Sequence, residues 1–310
     1  MQTRLLQYFL ALEREGHFAR AAAACHVSQP TLSAGISALE AQLGKRLILR
    51  NRRYSGLTEE GREILPWAQQ LVAAADNLMQ AAAVAKGPLQ GELRLGAIPA
   101  AMPAVGPLVE ALLDRHPGLN ISVRALTSRQ IERELTAFEL DAGLTYLDFE
   151  PPSHMLAAPL YVERYMLAAA QGVLDEDRTP TWEDVAALPL CLLHQGMQNR
   201  RILDARLGER GLALRPVVTA DSYVALFALV RQGRLCSIVP DSHAMLLDGL
   251  DWVRTFALPD ADEGSRIGVI VSDRAPLGPL AQAVLNVARD IKWPIADVNN
   301  IVIPAKAGIS

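Results

Sequence analysis

Ser28, Gln29, Thr31 and Ser33 gather around Pro30, shortly after the alanine block Ala21–Ala24. A Gln amide pairs bidentately with an adenine edge, and Ser or Thr hydroxyls bond bases or phosphates. Presented together at one helix end, such groups suit nucleic-acid recognition. Four arginines flank them, Arg20 before and Arg50, Arg52 and Arg53 after. Guanidinium groups are drawn to phosphates and to a narrow, A/T-rich minor groove. An arginine cluster is also often only a solvated tip, so its place in the chain has to decide.

Catalytic chemistry has no comparable signature. GxGxxG, P-loop, GxSxG and metal-ligand spacings are all missing from the sequence, so no catalytic residue, metal or cofactor is expected and the chain is not read as an enzyme. Cys25, Cys191 and Cys236 lie far apart among apolar neighbours, outside any CxxC or Cys/His pair. Buried thiols are the expectation; a redox switch has no local support.

Charge is distributed unevenly. Residues 1–58 hold eight Lys/Arg against three acids, a net of +5, inside a chain of 310 residues and net −4; the remainder is therefore −9. A basic module on an acidic body is the pattern of a nucleic-acid-binding head joined to another domain. The opening segment "MQTRLLQYFLALEREG" carries Glu13 and Glu15, unlike a secretory signal, and no apolar run reaches a membrane span. A cytoplasmic location without a membrane partner is expected.

The elements that would position these residues follow from periodicity. Leu5, Leu6, Phe9, Leu10 and Leu12 make a first amphipathic helix closed by Gly16, and Phe18–Ala24 a short second one. Ser28 caps a third helix to about Leu43, with Pro30 in its first turn, Leu32, Ile36, Leu39 and Leu43 on one face, and Gly44 as stop. "LILRNRRYSGL" reads as a two-stranded excursion, and Thr58 caps a long helix. In that helix Ile64, Leu71 and Leu78, continued at Ala85, alternate with Ala68, Ala75 and Ala82 in a heptad stripe. Packing on its own domain is one reading; close approach of a second long helix is favoured, so these residues are assigned to dimerisation. After the linker "KGPLQG", strands and helices alternate, including a long strand-like run Leu160–Ala170, and predict parallel α/β sheets in two blocks with a cleft between them.

The stretch "FARAAAACHVSQPTLSAGISALEAQLGKRLILRNRRYSGLTEEG" closely resembles the DNA-binding head of the LysR-type transcriptional regulators. Phe18, Ala21, Ala22, Val27, Ser28, Gln29, Pro30, Leu32, Ser33, Ile36, Leu39, Glu40, Leu43, Gly44, Leu47, Arg50, Leu57, Thr58 and Gly61 carry the likeness. A looser resemblance extends to about residue 293. The chain departs from the family at Cys25, where leucine is usual, and at Ala23, Ala24, Ala34 and Gly35, where polar residues are common.

The resemblance implies an α/β protein with an N-terminal all-α winged helix-turn-helix (1–58), a linker and dimerisation helix (59–90) and a tail (294–310). Between them it implies a two-subdomain, periplasmic-binding-protein-like effector domain (91–293), with subdomain I about 91–160 and 266–293 and subdomain II about 161–265. It further implies a regulator that binds double-stranded promoter DNA as a homodimer or homotetramer, with RNA polymerase as a further candidate partner. Its DNA contacts would be Arg20, Ser28, Gln29, Thr31, Ser33, Arg50, Arg52 and Arg53.

A small polar metabolite would sit between the subdomains, where strand ends meet helix N-termini. Those places hold Pro99, Ala100, Met102, Thr127, Ser128, Thr145, Tyr146, His194, Gln195, Gln198, Asn199, Asp221 and Ser222. Thr127 with Gln130 is also a capping box, Asp221 is equally a helix cap, and His194 is equally a satisfied loop histidine. A competing reading is a metabolite-binding or transport protein with a helical N-terminal extension; the basic head weighs against it.

Overall fold

A computed structural model describes residues 2–51, 53–84, 88–175, 179–259, 264–291 and 293. Arg52, Ala85, Lys86 and Gly87 of the linker, and the tail 294–310 lie outside the described residues. The chain divides into two compact units: a head within Met1–Leu89, and a body from Gln90 onward apart from Thr136–Glu139.

The head opens with α1 (Thr3–Glu15), α2 (Phe18–Ala24) and α3 (Gln29–Leu43), followed by the antiparallel strands β1 (Ile48–Asn51) and β2 (Arg53–Leu57) and the long helix α4 (Glu59–Val84). Gly16 and Gly44 end α1 and α3 in left-handed conformations at φ 62° and 65°, which a side chain would strain. Phe9, Leu12, Ala21, Leu32, Ile36 and Leu39 are fully buried at the centre. Gly35 lies under α1: a Cβ there would stand 2.5 Å from the Tyr8 ring. Gly61 lies as close to the wing, since its Cβ would meet the Leu47 carbonyl at 2.1 Å. Both close approaches, one to a ring and one to backbone, therefore depend on a missing side chain.

The body alternates β3 (Gln90–Ala97), α5 (Met102–Arg115), β4 (Gly118–Ala125), α6 (Ser128–Thr136) and β5 (Ala142–Tyr146), with a 3-10 turn at Pro99–Ala101. Then come β6 (Met155–Glu163), β7 (Tyr165–Ala170), α7 (Trp182–Ala187), β8 (Cys191–Leu193), α8 (Gln198–Glu209), β9 (Val218–Ala220), α9 (Tyr223–Val230), β10 (Ser237–Pro240), α10 (Asp241–Leu247), β11 (Val253–Ala257), β12 (Ser265–Ser272) and α11 (Pro279–Asp290). One sheet has the order β4-β3-β5-β12-β6, and the other contains β10-β7-β11 with the pair β8-β9 beside it. A bridge between Leu190 and Cys236 joins that pair to the rest.

Parallel sheets were the expectation, and the structure corrects it in part. β3, β4 and β5 run parallel, whereas β12 is antiparallel to both β5 and β6, and β7 is antiparallel to β10 and β11. The expected single run Leu160–Ala170 is two strands in two sheets. The chain passes from one to the other at Arg164, whose N–H donates to Asp241 Oδ1 (3.2 Å) and whose carbonyl accepts from the Asp241 N–H (2.9 Å). β7, which follows β6 from the other sheet, and β12, which follows β11, are the strands that run against their neighbours. Among the described residues no helix is long and apolar enough to cross a membrane.

Candidate functional site

In the head, the small side chains of Ala21 and Ala22 are buried at 0% and 3% exposure, which lets α2 lie close to its neighbours. Ala23 and Ala24 are exposed. The turn after α2 is held by Val27 N–H donating to the Ala22 carbonyl (3.0 Å), with His26 left-handed at φ 52°. Ser28 then caps α3, its Oγ accepting from Thr31 N–H (3.3 Å) and sharing a 2.7 Å hydrogen bond with the Thr31 hydroxyl. Ser28, Gln29 and Thr31 are exposed and Ser33 is half-buried.

Leu32, Ile36 and Leu39 turn inward, so Thr31, Ala34, Ala38 and Ala41 face outward as a shallow strip of small side chains. Gly35, one of the departures from the family, sits on the inner side beneath Tyr8. Its lack of a polar group therefore takes nothing from the outward strip.

A residue without an assigned task ties this helix to the strands. Glu40 Oε1 accepts the N–H groups of Leu47 (2.9 Å) and Ile48 (3.3 Å), so the end of α3 and the start of β1 share one carboxylate. Thr58 caps α4 through Gly61 N–H (2.9 Å), and its hydroxyl donates to the Arg46 carbonyl (2.7 Å). Arg50 and Arg53 fall on β1 and β2, and Arg20 is exposed beside Glu15, to whose carbonyl it donates.

The heptad stripe of α4 splits in two. Ala68 is 1% exposed inside the head core, and Ile64 packs against that core. Ala68 therefore faces its own domain and leaves the dimerisation set, because the first turns of α4 complete the head. Leu71, Leu78 and Ala82 are exposed and Ala75 is half-buried. Trp67 (66%) and Met79 (72%) are exposed on the same helix, although the heptad reading passed over them.

In the body, four of the expected effector residues meet. Asn199, at the start of α8, donates through Nδ2 to the Tyr146 hydroxyl (2.6 Å) and to Glu163 Oε1 (3.1 Å). The Tyr146 hydroxyl also donates to Glu163 Oε1, and Tyr165 donates to the Asn199 carbonyl (3.1 Å). Thr145 donates to Gln198 Oε1 (3.4 Å), and Gln198 Nε2 donates to the Phe149 carbonyl. At the rim, Arg201 Nε donates to Glu150 Oε1 (3.1 Å), and that guanidinium pulls the Glu150 carboxyl below its usual range. The end of β5 and the residues that follow it are thus fastened to the first turn of α8.

The other expected effector residues serve local structure or stand apart. Thr127 and Gln130 form the capping box, with Thr127 N–H to Gln130 Oε1 at 2.9 Å and Gln130 N–H to Thr127 Oγ1 at 3.3 Å. Ser128 is buried in the first turn of α6. Ser222, not Asp221, caps α9, accepting from Ala225 N–H (3.3 Å). His194 Nδ1 accepts from Gly196 N–H (3.0 Å); Gln195 and Asp221 are exposed. Pro99 and Ala100 lie in the 3-10 turn and Met102 opens α5.

Sequence reasoning missed Glu163, Tyr161, Tyr165, Tyr223 and His243. Glu163 is 2% exposed, and burial pushes its carboxyl up to about 8. Burial also drives Tyr146, Tyr161, Tyr165 and Tyr223 well above the ordinary phenol range, with the Glu163 charge adding to the rise in each. His243, its ring 4.0 Å from that of Tyr223, is depressed to about 3 by burial. Of the cysteines, Cys191 and Cys236 are buried as expected, but Cys25 is only half-buried, at the exposed end of α2. Desolvation raises all three thiols, Cys191 to about 11.

Known proteins resemble this chain in sequence and in fold. Residues 3–62 match the family model of the bacterial regulatory helix-turn-helix protein, lysR family, and residues 86–292 match that of the LysR substrate binding domain. A probable hydrogen peroxide-inducible genes activator of Mycobacterium avium is 41% identical over 197 residues, covering 62% of each chain, so the match spans less than two thirds of that relative. The HTH-type transcriptional regulator BbuR of Bordetella bronchiseptica is 28% identical over 309 residues, covering 95% of this chain and 93% of its own. A full-length OxyR variant from Pseudomonas aeruginosa has TM-score 0.72 at 24% identity, covering 94% of this chain and 99% of that one. Full-length CbnR complexed with its target DNA has TM-score 0.66 at 24% identity, covering 93% and 99%. At such identity the structural likeness is one of fold. With one family model on the head and another over more than half of the chain, the protein belongs to the LysR family.

Proposed function

We propose that the chain is a DNA-binding transcription regulator controlled by a small molecule held in its body. The observation that carries this reading is the exposed, polar N-terminal end of α3, bearing Ser28, Gln29 and Thr31. In the major groove, Gln29 reads a base edge while Ser28, Thr31 and Ser33 bond bases or phosphates. The outward strip of Ala34, Ala38 and Ala41 lets the helix sink close to the bases and meet thymine methyl groups. Arg20 and the wing residues Arg50, Arg52 and Arg53 add the phosphate and minor-groove attraction.

Two heads pair through α4, whose exposed Leu71, Leu78, Ala75 and Ala82, with Trp67 and Met79, offer an apolar stripe to a second copy; two such dimers make a tetramer. Promoter DNA and RNA polymerase are the macromolecular partners, and a cytoplasmic location accompanies them. The structure of CbnR with its target DNA supports the assignment by likeness of fold.

Peroxide induction, the property in the mycobacterial relatives' names, is a second reading. Oxidation by peroxide proceeds through a thiolate, and the chain's three cysteines all have raised pKa values. A bound metabolite between the subdomains is therefore the reading preferred here. The test is a salt titration of binding to the DNA upstream of the chain's own coding region. Affinity should be strong at low salt and fall steeply as salt rises. Lack of binding at low salt, or a flat salt response, sinks the regulator reading.

A further inference from the structure

We propose that the effector pocket, on the reading given above, is built for a small organic cation, an ammonium or amidinium group that pairs with Glu163 among buried tyrosines. Glu163 stands at the end of β6, where the chain leaves one sheet for the other, and its two carboxyl oxygens have different fates. Oε1 accepts from Tyr146 and Asn199. Oε2 is buried and has no hydrogen-bond partner, and the Tyr223 hydroxyl and His243 Nδ1 are left in the same condition. Each orphan is a carboxylate oxygen, a phenol oxygen or a ring nitrogen, and each is able to accept a hydrogen bond. Leaving such atoms unmet in a protein interior is costly, and native structures meet them with protein, water or ligand. An ammonium carries three donors on one atom.

Charge selects among the donors available. Glu163 lies within the electrostatic reach of a second carboxyl, Asp241, which is itself pushed up by burial. Arg206 is the cation that acts on Glu163, and its guanidinium donates to the Ser265 hydroxyl (2.9 Å) and lies 6.0 Å from the Tyr165 ring. Arg200, buried at the start of α8, bonds Asp204 (2.8 Å) and the Leu193 carbonyl (3.1 Å). Among the described residues no cation bonds Glu163. A carboxylate ligand would face two acids, and a neutral alcohol offers one donor and no charge. Tyrosine rings add to the preference, since their faces attract cations.

Burial keeps Glu163 neutral below about pH 8, so a cation that pairs with it displaces the carboxyl proton to solvent. Cation uptake and proton release are therefore linked, and affinity rises with pH up to about 8.

The test uses the full chain and methylammonium chloride as probe, against sodium chloride, sodium acetate and methanol at equal concentration. Methylammonium at about 100 mM should raise the melting temperature of the wild type by about 2–4 °C, more at pH 9 than at pH 7. Glu163→Gln should abolish the rise. Tyr223→Phe, which removes one phenol oxygen, should reduce it and serves where the first variant does not fold. An equal rise with methanol or acetate, a rise that ignores pH or survives both substitutions, or no rise at all would overturn the proposal. DNA binding by the wild type is measured alongside. Its loss with the methylammonium response intact sinks the regulator reading alone, and the converse sinks the cation site alone.

Discussion

Glu163→Gln should remove a specific slope from the stability of the body, the fall between about pH 6.5 and pH 8. Two buried groups set the profile. Glu163 titrates at about 8 in the folded protein against an ordinary 4.5, so the folded state keeps a proton that the unfolded chain has lost. Its contribution is complete below 4.5 and is lost as pH climbs to 8.

His243 works in the opposite sense. It titrates at about 3 against an ordinary 6.5, so its contribution is complete above 6.5 and is lost as pH falls toward 3. Between 4.5 and 6.5 the two slopes oppose each other and largely cancel. Above 6.5 the unfolded His243 sheds its remaining charge within about one pH unit, and the Glu163 slope, at most about 1.4 kcal/mol per pH unit, comes to dominate. Over that window the wild type loses about 1 kcal/mol, with Asp241 and Arg206 acting on the same carboxyl.

Urea midpoints of the intact chain, followed by tryptophan fluorescence, report the loss, because Trp182 and Trp252 lie in the body. The substituted protein should show no fall over the window, since a Gln side chain still accepts from Tyr146 and Asn199 and does not titrate. A wild-type midpoint that stays level or rises from pH 6.5 to pH 8, or a variant that keeps the fall, refutes the assignment of the slope to Glu163.

Three further outcomes follow from the head. Gly35→Ala places a methyl 2.5 Å from the Tyr8 ring and should destabilise the head by about 1–3 kcal/mol in chemical unfolding. Leu78→Glu should dissociate the dimer in sedimentation while leaving the helical signal unchanged, whereas Ala68→Glu should unfold the head, because that side chain is buried in its core. Gln29→Ala should relax discrimination at one base pair per half-site by about 1–3 kcal/mol in competition binding, and unchanged discrimination would remove Gln29 from base readout.

Legibility in the sequence differed between the two units for a physical reason. In the head, each structural demand is met within a few residues: Ser28 and Pro30 announce the start of α3, Gly44 its end, and Ala21 and Ala22 the close packing. In the body, the buried cluster is assembled from β5, β6, β7, α8, α9 and α10, so no spacing in the chain reveals it. Glu163 sits in "AAPLYVERYMLAAA", where a lone acid reads as an interruption of an apolar strand. The same residues mark the crossing between sheets, which is why one run was expected where two strands lie. Tyr146 and Asn199 were legible because a strand end and a helix start are recognisable places. Their partners had no such address. The heptad of α4 was half legible: period alone finds Ala68 but does not say whether a neighbour or a copy covers it.

The carboxylate of Glu40 has a consequence for evolution of the recognised site. By accepting from Leu47 and Ile48 at once, it welds α3 and β1 into a single caliper of fixed span. Wherever the head docks, the interval between what α3 touches and what the wing touches is set by protein geometry, and an inserted base pair inside that interval leaves one jaw empty. Within a half-site of the operator, the spacing between the bases met by α3 and those met by the wing is therefore expected to stay constant while the bases themselves change.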